Sequence, residues 1–354
     1  MNLPVNRDIQ FKVTKRVMFK PRILHLWWLL VFLSGYAHAV TESPKSFISL
    51  QLENDAFSLI NYLGDHYYTH GTSLSILKVK EPPKWLKIAS KYTPFRKKTN
   101  GLNLTQYTLG QKIFTPNNTS SSSVVLNDRP YAGYLYYGIS TLSHTRYSDS
   151  IDYGHLVEIT FGLVGPSALG QETQAFIHSI IKKNGPNGWN NQLKNELTVG
   201  VTYSRLWRMI KPVTNNLMIG INRHDSIALG NAYTYLASGV MLRFGKNLKK
   251  DVSPPTIRPG FPGLPYFQAT NKTNWYFYFG IEGRLVLRNI FLDGNSFTNS
   301  LSVDKEPLVG DTQLGVVFMF GDTRISASKI YRTDEFKTQE EKDIFGEINL
   351  SIRY

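Results

Sequence analysis

The chain has 354 residues, with 40 Lys and Arg against 26 Asp and Glu, and contains no cysteine. Without cysteine an exported chain has no disulfide framework, so another architecture must hold it together. The net charge of +14 favours an anionic partner such as phosphate-rich lipid, and no feature of the sequence points to nucleic acid.

Residues 18–39 read "MFKPRILHLWWLLVFLSGYAHA", with Lys20 and Arg22 ahead of an apolar stretch and then Ala37-His38-Ala39. That is the pattern of a secretory signal cleaved after Ala39, and the apolar part is too short to span a membrane as a helix. Residues 1–39 are therefore expected to be a removed signal peptide, and residues 40–354 one exported domain.

Beyond Val40 no apolar run approaches the roughly 20 residues of a transmembrane helix. Instead, alternating segments rich in Tyr, Phe, Val, Ile and Thr recur. They begin near Phe47, Tyr67, Leu104, Gly133, Asp152, Glu196, Asn215, Ala232, Asn274, Leu308, Asp322 and Asp343. The first, "FISLQLENDAF", sets Ile48, Leu50 and Leu52 against Ser49, Gln51 and Glu53. It then puts Asn54 on the apolar face and Asp55 on the polar one. The last, "DIFGEINLSIRY", sets Ile344, Gly346, Ile348, Leu350, Ile352 and Tyr354 against Phe345, Glu347, Asn349, Ser351 and Arg353.

An aliphatic face opposite a polar one suits a wall between lipid and a wet interior, with 20 Tyr and 20 Phe to furnish its interfacial girdles. The expected fold is all-β: a transmembrane antiparallel up-and-down β-barrel of about twelve strands, with a short helix in an outer loop. A soluble β-sandwich or lipocalin-like barrel is the alternative. Closure removes every sheet edge, which hydrocarbon demands and which lets the fold persist without disulfides.

If the first strand starts in the periplasm, odd-to-even connectors share the outer end. Three of them are polar and Gly-punctuated: "ENDAFSLINYLGDHYYTHG" (53–71), "GQKIFTPNNTSSSSVVLNDRPYAG" (110–133) and "GLVGPSALGQETQAFIHSIIKKNGPNGWNNQ" (162–192). The inner connectors 80–103 and 245–273 are basic and Pro-containing and read as solvated loops, the first with a short helix around residues 85–92. In the third outer connector, residues 171–183 read as a helix stopped by Gly185-Pro186. Phe176, Ile177, Ile180 and Ile181 form its apolar stripe, and Gln171, Gln174 and His178 share another face. His178 would then stand beside Asn54, Asp55, Asp65 and Thr69.

This set permits hydrolysis. A neutral imidazole deprotonates water, a carboxylate with backbone carbonyls holds Ca²⁺, and a carboxamide donates to an oxyanion. No G-x-S-x-G elbow or H-E-x-x-H motif is present. Simpler roles are open for each residue: turn chemistry for Asn54-Asp55, a loop ion pair for Asp128-Arg129, a surface position for His178. Trp189 reads as an interfacial anchor, and His70, His155 and His224 as structural.

Together, "LENDAF…DxYYTxG", "GQKIFTP…NDRPYAG" and "GLVGPSALGQETQAFIH…PNGWNNQ" resemble the outer-membrane lipid A 3′-O-deacylases of Gram-negative bacteria, in order through about residues 47–200. The resemblance implies a twelve-stranded barrel and a calcium-dependent esterase that removes 3′-linked acyl chains of lipid A in the outer leaflet. It makes His178 the general base, Asp55 a calcium ligand and Asn54 an oxyanion donor. Thr69 and Gln174 then line the site, and Asp65, Asp128 and Arg129 support it or contact substrate. The implied partners are lipopolysaccharide and the outer membrane, with the protein a monomer. Three positions depart from the family pattern: His70, the lysine-free segment 116–125, and Asn184. An outer-membrane phospholipase and a non-catalytic pore or adhesin barrel are the rival functions.

Overall fold

In the computed structural model the described residues are 46–55, 67–84, 102–146, 148, 150–181, 185–254 and 263–354. The expected signal peptide, the helix near residues 85–92, Asp65 and Asn184 lie outside them. Twelve antiparallel strands form one closed barrel. They are β1 (Ser46–Asn54), β2 (Tyr67–Lys78), β3 (Leu102–Thr115), β4 (Ala132–Arg146), β5 (Ile151–Val164), β6 (Glu196–Pro212), β7 (Met218–Gly230), β8 (Tyr233–Gly245), β9 (Thr270–Asn289), β10 (Leu308–Gly321), β11 (Thr323–Arg332) and β12 (Asp343–Arg353). The sequence rhythm located all twelve; the largest offset is at β9, which begins at Thr270 rather than Asn274. Closure comes from β1 on β12, in register from Phe47 opposite Arg353 to Asn54 opposite Gly346.

The two faces are inverted relative to a soluble protein. On β9, Phe277, Phe279, Ile281, Leu285 and Leu287 are exposed, while Tyr276, Tyr278 and Arg284 on the alternate positions are buried. Such an apolar outer surface, with buried polar residues inside, is stable only where the surrounding solvent is hydrocarbon. That excludes the soluble barrel.

Both ends of the lumen carry packed side chains. At the end bearing both strand termini, the β8–β9 connector folds inward, and Asp251, fully buried, bridges to Phe267. Its carboxylate accepts from Arg324 Nη1 at 2.9 Å and from the Tyr276 hydroxyl at 2.7 Å. Its carbonyl accepts from Arg208 Nη1 at 2.6 Å and Arg243 Nη1 at 3.1 Å. Phe267 packs on Phe47 with ring centroids 5.5 Å apart. The described part of this connector is therefore a plug, not the solvated loop its Pro-rich, basic composition suggests; four buried side chains hold Asp251, a pattern that composition does not reveal.

At the opposite mouth lies a one-turn helix, Ile290–Asp293, capped by the Asn289 side chain. Its Phe291 stacks on Phe114 at 4.2 Å and touches Tyr134 and Tyr233, each at 5.4 Å. Arg129 lies over the Phe114 ring and pairs with Glu335 at 3.0 Å.

The Arg129–Glu335 pair makes a prediction. Burial works to raise the Glu335 carboxyl, but Arg332 and then Arg129 outweigh it and hold it below the ordinary glutamate value. A depressed folded value means the pair's contribution is present above the unfolded glutamate value, about 4.3, and is lost as pH falls through the folded one. Glu335→Gln, which strands Arg129, should cost about 3–5 kcal/mol and remove that acid-sensitive part. Thermal unfolding in detergent from pH 7 to pH 3 measures both.

Candidate active site

β1 keeps its ladder to the end: Asn54 pairs with Gly346 on one side and His70 on the other, and Asp55, buried, then turns out of the strand. The irregularity at this edge lies on β2. The β2–β3 register shifts between Tyr68 and His70, leaving Thr69 as an extra residue. The cause is the lumen: Tyr68 turns inward to donate a hydrogen bond to the buried Glu53, filling the space that a side chain at Gly71 would take. Thr69 is thereby released from strict alternation. Its carbonyl accepts from Asn54 Nδ2 at 2.9 Å and its hydroxyl meets that of Thr115 at 2.8 Å. The bulge and the carboxamide stabilise each other.

The helix of the third outer connector, α1 (Gly170–Ile181), packs against β3 and β4. A 3₁₀ turn, Pro166–Ala168, leads into it from Gly165 at φ 101°, a left-handed conformation that favours glycine. The Ala168 carbonyl accepts from Gln111 Nε2 at 2.7 Å. A Cβ on Gly133 would sit 3.0 Å from the Gly170 nitrogen, so the helix start lies directly on the β4 backbone. Below it Ile113, Tyr131 and Trp189 form a small buried cluster, and Trp189 Nε1 donates to Gln174 Oε1 at 2.8 Å.

α1 is amphipathic in the unusual sense. Gln174 and His178, one turn apart, are 1% and 4% exposed, whereas Phe176 and Ile180 are 66% and 60% exposed. A helix burying its polar face and presenting its aliphatic one makes physical sense against a wall with lipid outside. Of the residues expected to share the polar face, Gln171 is exposed and does not join the pair.

The structure thus sets Asn54 and Thr69 on the wall and Gln174 and His178 on the buried face of α1, at one end of the barrel. Asp55 is buried at the end of β1. Asp128 is engaged within its own loop, where its carboxylate accepts from the Asn117 and Arg129 backbone N–H groups, each at 2.7 Å. Burial raises its carboxyl above the ordinary aspartate value, against the pull of those two bonds. Arg129 points into the barrel mouth, as described. His155 meets the Tyr203 hydroxyl at 2.9 Å and His224 pairs with Glu282 at 2.6 Å, both away from α1. Trp189, read from sequence as an interfacial anchor, is instead a buried brace for Gln174; its indole, among Gly, Pro and Asn, had no partner that spacing could reveal.

Seating depends on the glycine contact, so Gly133→Val should lift α1 from β4 and lower activity at least tenfold, since small misplacements of catalytic groups cost about 10²-fold. The heat-modifiable barrel band on a gel should be unchanged.

Among the described residues no group of three His, Cys, Asp or Glu side chains is arranged to hold a metal ion. Asp55 offers one hard oxygen donor of the kind Ca²⁺ takes, and backbone carbonyls are the usual complement.

The family model for outer membrane protein LpxR matches residues 25–354. The chain belongs to the LpxR family. It is therefore a Gram-negative outer-membrane β-barrel and a hydrolase, a lipid A 3′-O-deacylase. Among solved structures it is similar to LpxR from Salmonella typhimurium, with TM-score 0.68 and 20% identity over 87% of this chain and 100% of that one. At that identity the likeness speaks for the fold alone. The β domain of the Bordetella autotransporter BrkA gives TM-score 0.45 and 10% identity over 88% of this chain and 99% of that one. No curated protein sequence matches the chain. Membership in the LpxR family rests on nearly the whole length, beyond the 47–200 span where the sequence motifs lie.

Proposed function

We propose that this LpxR-family protein hydrolyses the 3′-linked acyl esters of lipid A on the outer face of its wall, within the outer leaflet, using a water molecule activated by His178. The observation that carries this reading is the inverted helix α1, with His178 and Gln174 turned to the wall and Phe176 and Ile180 turned to lipid. An ester linking sugar to acyl chain lies at the boundary between head group and hydrocarbon, where such a helix would rest.

In this scheme His178 takes the proton of the attacking water and later returns it to the departing sugar oxygen. Gln174, fixed by Trp189, orients groups beside the imidazole. Asn54 uses one amide hydrogen on the Thr69 carbonyl, which aims its carboxamide along the bulge for the developing oxyanion. Asp55 would hold Ca²⁺, with backbone oxygens completing the set, and bound calcium would supply positive charge to that oxyanion. Asp65, Asp128 and Arg129 are assigned supporting roles, the last two through the loop between β3 and β4. The protein would act as a monomer.

The test is release of fatty acid from lipid A by detergent-purified protein. Activity should vanish with a calcium chelator and return with added Ca²⁺ but not Mg²⁺. Activity indifferent to chelation would remove calcium from the scheme. Release from glycerophospholipid alone would favour a phospholipase.

A further inference from the structure

One flank of the cleft is closed. α1 and the turn before it lie over the outward faces of β3 and β4, held by the Gly133–Gly170 contact and by Gln111. The other flank runs across β12 and β11. Along the ladder from Asn54 the next outward position is Gly346, and the one after it is Lys329. With strands about 4.8 Å apart, the Asn54 and Lys329 backbones are roughly 10 Å from each other. Gly346 puts no side chain between them. Below this row the outward residues are small or aliphatic: Ala327, Ile348 and Leu52.

Lys329 is out of place in that surface. A cation on the lipid side of a barrel wall is unfavourable unless it reaches water or an anion. Arg223, another lipid-side cation, has Asp225 at 3.1 Å. Among the described residues no carboxylate pairs with Lys329. Its ammonium lies 5.0 Å from the ring centroid of Tyr331, the next outward residue toward the outer end of the strand. That contact aims it toward the head-group layer.

We propose that Lys329 binds a phosphate of the glycolipid substrate, holding the sugar head group across Gly346 so that the 3′ ester meets Asn54 and His178. The proposal rests on the deacylase chemistry given above and adds the substrate group recognised and the direction from which it enters. An ammonium on a flexible stem suits a phosphate monoester as a point charge. Because α1 blocks β3 and β4, a head group engaged at Asn54 extends over β12, and Lys329 is the first cation on its path. It is a binding residue and touches no reacting atom.

The experiment compares wild type, Lys329→Met and Lys329→Arg in phospholipid-free detergent. One substrate is lipid A carrying its phosphates, and the other is the same lipid A after their chemical removal. On the phosphorylated substrate Lys329→Met should lower kcat/KM about tenfold or more, chiefly through KM, and Lys329→Arg should recover most of it. On the dephosphorylated substrate all three should be equal. A Lys329→Met enzyme as active as wild type on phosphorylated lipid A overturns the proposal, and so does an equal loss on both substrates. His178→Ala in the same assay separates the two levels: activity surviving there overturns the chemistry, not the phosphate contact.

Discussion

His178→Ala should lower the turnover of purified protein on lipid A by about 10²- to 10⁴-fold, the range associated with loss of a positioned general base. The barrel should be untouched, since His178 belongs to α1 and not to the strand ladders. KM should change little, because a base that acts only on the attacking water contributes in the transition state and not to substrate binding. His178→Gln, close in size and able to hydrogen-bond but not to take a proton, should be nearly as slow as alanine. A glutamine variant with substantial turnover would mean that His178 positions groups and does not move protons.

The second large effect is expected at Asn54. Asn54→Ala removes the proposed oxyanion donor, for which losses of about 10²- to 10³-fold in kcat are typical. It also removes the hydrogen bond to the Thr69 carbonyl at the β2 bulge. Thr69→Val separates these effects. It deletes the hydroxyl contact with Thr115 while leaving the Thr69 carbonyl for Asn54, so it should cost far less than Asn54→Ala. Equal losses in the two variants would assign Asn54 to holding the bulge rather than to the ester. Steady-state kinetics on both, with the gel mobility of the folded barrel as control, decide between the outcomes.

The wall was legible in the sequence because a lipid-facing strand has only one solution: apolar out, polar in, period 2. Strands β1 and β12 show it residue by residue, from Ile48 and Leu50 outward to Ser49 and Glu53 inward. The helix was legible from its stop at Gly185-Pro186 and from the Gln174–His178 spacing, but not which face it would bury. A stripe of Phe176 and Ile180 looks like a core-facing surface until the lipid outside is taken into account. The plug was invisible for a related reason. Asp251 is held by Arg208, Arg243, Arg324 and Tyr276 from β6, β8, β11 and β9, which come together only once the barrel closes. The bulge at Thr69 was not legible either, since it accompanies the inward turn of Tyr68 onto Glu53 across the ladder. "LENDAF" closes β1, and its neighbour on β2 carries the irregularity.

Family motifs supplied what pattern could not. Read by themselves, Asn54 and Asp55 are as compatible with a turn as with a site. Their association with the helix histidine came from the ordered match of three connectors. The geometry adds a physical link among all three: Thr115, at the end of β3, touches Thr69, and Gln111 on the same strand anchors the turn that starts α1.

The central claim is that 3′-acyl chains of lipid A are cleaved at the wall edge beneath α1. Mass spectra of lipid A from cells expressing wild type or His178→Gln, both verified as folded in the outer membrane, test it most directly. The account predicts loss of the mass of the 3′-linked acyl chains with wild type and an unaltered spectrum with the variant. Identical deacylation by both proteins, or none by inserted wild type with calcium present, would contradict it.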